Sequence, residues 1–384
     1  MDFKSLFLLA VLAVSAIEHS GAAPMIEKLG VYEYFVDEST PVTFNGNFLM
    51  FESIVQSSPQ WAGHWLPSFA NCSCYYRIRD IVRGEVVVNI SETCNHAFGS
   101  ALVTSGTGSN SDTLFVFGTP WIRTNTPISR MPQAADSKVK SQWSGPCSVG
   151  NCSVNVFWSS DPALQSWLSG PGAPLTKGLT VYNNDVTAVI ADPSAQILLG
   201  LPPHRWVMAI ETGAERTTFL VSNGSSTSPH SPATGWVALD PTQYIVPRFT
   251  ADIGSCPSVR YVAATGYYYV LTGGSSVYIT RSKNLHDWQL GQPAVLAPSL
   301  DDCSVAPPYF GHYIPNAQEE ALIHSCTARG FGDDSDIDLM EWTDPRTNTT
   351  TVLLQYGSGN QATFGFSNLA LFNGTLSTFL ESFF

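Results

Sequence analysis

Three carboxyl groups in or directly beside short apolar strands are the residues of this chain best suited to acid–base chemistry. Asp185 begins "DVTAVI", Asp338 lies in "DSDIDLMEW", where acids alternate with apolar residues, and Glu52 lies inside "FLMFESI". Such chemistry needs one carboxyl group held protonated near the working pH and a second that stays ionised. The apolar neighbours of Glu52 are expected to raise its pKa. We therefore predict Asp185, Asp338 and Glu52 as catalytic residues, with Asp185 foremost.

Each of these carboxyl groups also has a structural interpretation. Asp185 follows Asn184 and could cap a turn, and Glu52 could pair with an arginine in the core. Asp336 and Asp338 share one face of their strand, a placement that is equally typical of a calcium site or a solvated loop. The pattern therefore predicts no cofactor, with a structural calcium ion as the alternative.

The elements that must position these residues are strands. Helical periodicity is almost absent beyond the first 22 residues. Short runs of β-branched and aromatic residues alternate instead with clusters of Gly, Pro, Asn and Ser, which is the pattern of strands and turns. The segment 254–290 contains four such strands, each predicted to be antiparallel to the one before. Four-stranded meanders of this kind form the blades of β-propellers.

A repeated phrase indicates that the meander is used more than once. Leu285-x-x-Trp288 closes the segment just described, and Leu164-x-x-Trp167 closes an almost parallel one. We predict that the phrase marks the turn into the outer strand of a blade and that its Trp packs between sheets. Five such units can be traced, and the first of them is predicted to begin with the strand segment "VTFNGNFLMFESI" at Val42. The predicted fold is all-β, a five-bladed β-propeller of four-stranded antiparallel blades, with a β-sandwich as the alternative.

The chain divides into an export signal and one domain. Lys4 precedes an apolar run that is followed by small residues, so residues 1–22 are predicted to be a secretory signal peptide. Residues 23–384 are predicted to form the single propeller domain. Residues 120–146 have no strand pattern and are predicted to be an insertion loop.

Cysteines and glycosylation sequons agree with a secreted, extracellular glycoprotein. All 8 cysteines follow the predicted signal peptide, and Asn-x-Ser/Thr occurs at six asparagines (Asn71, Asn89, Asn151, Asn223, Asn348 and Asn373). Cys147–Cys152 is the best local disulfide pair and Cys303–Cys326 the next, although spacing alone does not decide the pairing.

Charge and hydropathy restrict the partners. Acidic residues exceed basic ones by 31 to 18, and no basic stripe is present, so nucleic acid is not an expected partner. No later segment is long and apolar enough to span a bilayer, so no membrane association is expected after signal cleavage. The chain is expected to be a monomer.

With "CPSVRYVAATGYYYVLTGG", a following Ser-x-x-Leu-x-x-Trp at 282–288 and the closing segment 350–384, the chain resembles the five-bladed glycoside hydrolases of the arabinanase, β-xylosidase, levansucrase and invertase superfamily. The resemblance implies a poly- or oligosaccharide bound at the propeller axis. It places Asp185 where the family has a helper Asp. Ser255 and Cys256 stand where an acid Glu and a Gly are expected, and the first blade has no Asp at its strand start.

Residues at inner-strand starts and in loops complete the predicted site. His96, Arg260, Asp252 and Trp121 are the predicted substrate-binding residues. Arg260 alternates with apolar neighbours and could pair with a carboxylate in the funnel or form a structural salt bridge. His96 could instead be a hydrogen-bonded structural residue, and Trp121 could stack on a sugar ring or simply pack. The predicted function is a secreted glycoside hydrolase-like protein, and the alternative is a catalytically inactive propeller that binds glycans.

Overall fold

The computed structural model confirms an all-β propeller built from five four-stranded antiparallel sheets. It describes residues 25–34, 36–55, 72, 74–104, 112–120, 153–174, 186–190, 206–212, 216–222, 236–249, 256–307, 315, 317–326, 334–344, 347–360 and 364–384.

Blades 1 to 3 each run from an inner to an outer strand in chain order. Blade 1 contains β2 (Val36–Phe44), β3 (Asn47–Val55), β4 (Cys74–Asp80) and β5 (Glu85–Ile90). Blade 2 contains β6 (His96–Thr104), β7 (Thr113–Pro120), β8 (Ser153–Ser159) and β9 (Leu168–Pro174). Blade 3 contains β10 (Val186–Ile190), β11 (Trp206–Thr212), β12 (Arg216–Ser222) and β13 (Val237–Ala238).

Blades 4 and 5 complete the ring. Blade 4 contains β14 (Ser258–Val262), β15 (Tyr267–Thr272), β16 (Tyr278–Ser282) and β17 (Gln289–Leu290). Blade 5 contains β18 (Asp334–Asp344), β19 (Thr349–Asn360), β20 (Phe364–Asn373) and, outermost, β1 (Ile26–Tyr34). Among the described residues there are also two short α-helices, α1 (Ala317–His324) and α2 (Leu376–Glu381). The first strands of neighbouring blades contact one another, so β2, β6, β10, β14 and β18 surround the axis.

The ring is closed by an N-terminal strand that the sequence did not reveal. β1 pairs antiparallel with β20 and so becomes the outer strand of the last blade. Its middle also lies against residues 304–306, where Val31 N–H donates to Ser304 O at 2.8 Å. Gly30 allows this approach, because it has φ +99° and a Cβ there would lie 2.3 Å from Ser304 O.

Both copies of the Leu-x-x-Trp phrase make the predicted turn. Leu164 and Leu285 are buried and have left-handed φ values of 57° and 58°. Each turn leads directly into the outer strand of its blade. Trp167 packs in the core between blades 1 and 2, and Trp288 stacks on Phe219 of blade 3 with ring centroids 5.6 Å apart. The prediction is confirmed for both phrases.

Burial follows the position of a strand in its blade. Middle strands are covered on both faces by neighbouring blades, so every residue of β4 is buried, whereas β5 at the outer edge is half exposed. One core, for example, joins Phe115 and Phe117 of blade 2 to Trp206 and Met208 of blade 3. Apolar residues on both faces of a strand therefore do not indicate a parallel sheet here.

Two disulfides lie among the described residues. Cys303–Cys326 was predicted and is confirmed, whereas Cys72–Cys94 was not predicted. Cys147 and Cys152 lie outside the described residues. Both observed disulfides are compatible with an oxidising, extracellular compartment. Within the described ranges, no helix is long and apolar enough to span a membrane.

Candidate functional site

Carboxyl groups from two blades meet in a cavity at one end of the axis. Glu38 of β2 and Asp336 and Asp338 of β18 line it, together with Cys256 and Pro257 at the entry to blade 4. All three acids are at most 8% exposed. The cavity volume, about 20 Å³, is enough for a water molecule but not for a sugar ring. A saccharide would therefore reach these carboxyl groups from the mouth.

Glu38 is the axial acid that sequence reasoning missed. The first inner strand was predicted to start at Val42, but it begins at Val36 and pairs along β3 through Pro41. The two residues after Glu38, Ser39 and Thr40, line the same cavity. The sequence signal that could have revealed the earlier strand start is an acid, Glu38, followed by the small residue Ser39 and the β-branched residue Thr40.

Asp336 and Asp338 reach the cavity because β18 is irregular at its start. The pairing with β19 shifts register between Ser335 and Asp338, and Asp336 has a left-handed φ of 50°. Asp336 Oδ2 accepts the hydroxyl of Ser335 at 2.7 Å. A bulge of this kind re-aims side chains beside functional sites. Asp336 and Asp338, which were predicted to share one face of their strand, thus line the same cavity.

Arg260 and Asp338, predicted separately, form an ion pair between blades 4 and 5. Asp338 Oδ1 also accepts Ser258 Oγ and Leu339 N–H, each at 2.9 Å. Arg260 donates in addition to the carbonyl oxygens of Val259 and Leu339, each at 2.7 Å. The expectation that Arg260 meets a carboxylate is confirmed, and its role toward a substrate stays a prediction.

Glu52 lies in the interior of blade 1 and is absent from the lining of the axial cavity. Its two carboxylate oxygens accept from Arg77 and Arg79, and Glu33 of β1 also bonds both arginines. Burial raises the pKa of Glu52, but the two guanidinium groups outweigh burial and hold it below its usual value. The expected upward shift is therefore wrong, because the alternative arginine pairing is what occurs. A catalytic role for Glu52 stays untested.

His96 is held by hydrogen bonds at both ring nitrogens. Nδ1 donates to Cys94 O at 3.1 Å, Nε2 accepts from the Asn155 amide at 2.7 Å, and the ring edge meets Phe157. Burial lowers the pKa of His96, so the neutral ring is favoured at neutral pH. This geometry matches the structural alternative, and sugar binding by His96 stays a prediction. Asp185, Asp252 and Trp121 lie outside the described residues.

A second buried acid pair, which the sequence did not single out, lies beside the start of β18. Lys28 Nζ bonds Asp302 at 2.7 Å, Asp334 at 2.8 Å and Ala297 O at 2.8 Å. Tyr356 OH donates to Asp302 at 2.7 Å. Burial raises the pKa of Asp334 to about 7; Lys28 lowers it and Asp302 raises it. One lysine, whose side chain is 8% exposed, thus pairs with two carboxyl groups that are completely buried.

No metal site is found among the parts of the chain that the structure describes, since no three His, Cys, Asp or Glu side chains are grouped to hold an ion. Glu38, Asp336 and Asp338 line one cavity, but they are not grouped closely enough to form such a site. A structural calcium ion stays a prediction.

Comparison with known proteins gives distant structural likeness only. No protein-family model and no curated protein matches the sequence. Among solved structures, the catalytic domain of the Coprinopsis cinerea GH62 α-L-arabinofuranosidase is 10% identical, with TM-score 0.46, over 92% of this chain and 98% of that one.

Two further structures are more distant. The fructofuranosidase from Schwanniomyces occidentalis is 11% identical, with TM-score 0.39 over 70% of this chain, which spans 42% of that longer protein. The SapL1 lectin is 9% identical, with TM-score 0.37, over 86% of this chain and 75% of its own. At these values the likeness does not decide an activity, and the site must carry the argument.

Proposed function

We propose that this chain is a secreted, glycan-acting propeller, a glycoside hydrolase-like protein that receives a poly- or oligosaccharide at the axial end. The observation that carries the proposal is the convergence of Glu38, Asp336 and Asp338 in one cavity. Glycoside cleavage uses two carboxyl groups that flank the scissile bond. Here β2 of blade 1 and β18 of blade 5 supply such groups. A glycosidic bond that lies across the mouth of the cavity would therefore have an acid on each side.

The three acids are not equivalent. Asp338 is engaged by Arg260, Ser258 and a backbone amide, so it is suited to fix the geometry of the site rather than to exchange protons. Glu38 and Asp336 are proposed as the acid–base candidates, because they line the same cavity from two different blades. Asp185 is proposed to join them, because it directly precedes β10, another strand at the axis.

Export is supported by the two disulfides and by the sequence before residue 23. If the compartment assignment is right, mass mapping of the secreted protein under non-reducing conditions should find no more than two thiols among its 8 cysteines. Eight thiols would contradict secretion through an oxidising compartment.

The function is tested by screening the purified secreted protein against aryl-glycosides and plant or algal polysaccharides, for cleavage and for binding. Cleavage that falls at least about a hundredfold in Asp185→Asn, with the melting temperature nearly unchanged, supports hydrolysis with Asp185 as a participant. Full activity in that variant would remove Asp185 from the site.

Glycan binding without cleavage is the second candidate. It is favoured by the engagement of Asp338 with Arg260 and by Ser255 and Cys256, which stand where the resemblance expects an acid. Binding that is lost in Asp336→Asn, in a protein that cleaves nothing, would establish this candidate. A protein that neither cleaves nor binds any glycan would overturn both.

A further inference from the structure

The turn that brings the chain into blade 4 is held on both sides by carboxylates of neighbouring blades. Glu211, next to the last residue of β11 in blade 3, accepts the backbone N–H of Cys256 at 3.0 Å. Asp338 of blade 5 accepts the hydroxyl of Ser258 at 2.9 Å. Cys256 and Pro257 line the axial cavity between these two contacts. The position of this wall therefore depends on three blades.

The backbone of Cys256 needs such support. Its φ is 47°, in the left-handed region that side chains other than Gly, Asn and Asp rarely adopt. Pro257 adds a restriction, because its ring drives the preceding residue toward extended conformations. A conformation of this kind persists only where the surroundings enforce it. A hydrogen bond on the Cys256 amide fixes one end of the residue in place.

Glu211 is placed to act through this turn. Its side chain is completely buried, and the cavity lining includes Cys256 but not Glu211. A backbone amide removed from water requires an acceptor, and a carboxylate forms a stronger bond with it than a neutral oxygen does. Glu211 pairs with Thr217 across β11 and β12, so its backbone is held within the sheet of blade 3.

We propose that Glu211 is a positioning residue of the axial site, which holds Cys256 and Pro257 at the distance from β18 that gives the cavity its width. The inference that Glu211 affects glycan cleavage or binding rests on the proposed function, whereas the effect of Glu211 on Cys256 does not. The thiol of Cys256, partly exposed in this wall, reports on the turn directly.

The test is the rate at which iodoacetamide alkylates Cys256 in the native protein, measured by peptide mass spectrometry. Glu211→Met keeps the side-chain length but removes the acceptor, and is expected to raise the rate at least about tenfold, as for the loss of a charge-assisted hydrogen bond. Glu211→Gln keeps an oxygen that accepts the amide and is expected to stay within about twofold of the wild type. A wild-type rate in Glu211→Met would overturn the proposal.

Two internal controls separate a local effect from unfolding. Cys74 is completely buried, so its alkylation reports global opening and should stay slow in every folded variant. Glu341 accepts the backbone N–H of Leu376 at 2.8 Å far from this turn, so Glu341→Met removes the same kind of contact and should not change the rate at Cys256. If Glu211→Met does not fold, Glu211→Asp withdraws the carboxylate by one methylene, and unchanged labelling in that variant overturns the proposal.

A glycan readout distinguishes this inference from the proposed function. If the protein cleaves a glycoside, Glu211→Met should raise KM and lower kcat for that substrate, and Glu211→Gln should keep both close to their wild-type values. If no glycan is cleaved or bound, the proposed function fails while the alkylation rates still decide the role of Glu211. If glycans are cleaved and alkylation does not respond, the function stands and the positioning role falls.

Discussion

Asp338 and Arg260 link the axial cavity to the packing of blades 4 and 5. Their side chains are only 6% and 16% exposed, so water can solvate either charge only poorly when its partner is removed. A charge left alone in such a place costs far more than a solvated pair contributes. The pair is therefore expected to act as a unit in stability as well as in the geometry of the site.

Asp338→Ala and Arg260→Ala are each expected to lower the free energy of unfolding by about 3 kcal/mol, because each leaves a mostly buried charge unpaired. The double variant should lose clearly less than the sum, with a coupling of about 1–3 kcal/mol in urea unfolding. Asp80 and Arg83 provide the control pair, since Arg83 is 70% exposed and the expected coupling is below about 1 kcal/mol. Additive losses at Asp338 and Arg260 would rule out the coupling.

The buried carboxyl group of Asp334 is expected to make the free energy of unfolding depend on pH. Lys28 faces it from β1, Asp302 from the 3-10 segment Leu300–Cys303 and Tyr356 from β19. Its folded-state pKa of about 7 lies above the ordinary value, so the folded protein holds a proton there that the unfolded chain releases. This contribution to stability is complete below about pH 4 and is lost as pH rises through 7.

Wild-type protein is therefore expected to lose about 2 kcal/mol of unfolding free energy between pH 5 and pH 7 relative to Asp334→Asn. In the variant, Lys28 and Asp302 balance each other and no proton is bound at residue 334. Urea unfolding of both proteins across this range measures the difference. Asp301→Asn, at the exposed neighbour of Asp302, should run parallel to the wild type. A constant gap between wild type and Asp334→Asn would contradict the account.

Among the elements, β1 closes the ring of blades. It joins the two ends of the ring, and ion pairs from Glu33 to Arg77 and Arg79 fasten it to blade 1, while Lys28 fastens it to residues 297–302. Its close approach to Ser304 depends on Gly30. Ring closure is thus concentrated in nine residues, Ile26–Tyr34.

Gly30→Ala is expected to lower the free energy of unfolding by about 3 kcal/mol, since the new methyl group adds a backbone clash to left-handed strain. Gly266→Ala separates these terms, because Gly266 also has a left-handed φ of 71° but no atom within 4 Å of the added Cβ. That control should lose only about 1 kcal/mol. Equal losses in urea unfolding would show that the contact with Ser304 contributes nothing.

The sequence predicted the blades better than their closure. Strand-forming runs and the Leu-x-x-Trp turn are local signals, so all five blades and both tryptophan positions follow from them. β1 was missed because its partner β20 lies more than 300 residues away and no local pattern records that pairing. The start of β2 was missed because a strand that continues through Pro41 contradicts local preference.

At the scale of the whole molecule, the two ends of the propeller differ in what they present. The end with the axial cavity has buried acids from the first residues of the inner strands. The opposite end has the exposed side chains of Glu341 and Arg83. Arg260 and Asp338 could be chosen from the sequence, whereas Glu38 was found only in the structure. The structure also decides between the two interpretations of Glu52, because it pairs Glu52 with Arg77 and Arg79 of the neighbouring strand β4.

The measurement that tests the central claim most directly compares acids at the two ends on the best glycan substrate or ligand. Glu38→Gln and Asp336→Asn should each lower kcat/KM at least about a hundredfold, or abolish binding in a non-hydrolytic protein, with little change in melting temperature. Glu341→Gln, at the opposite end, should keep the wild-type value. Wild-type activity or binding in both axial variants would contradict the account and place glycan recognition elsewhere on the molecule.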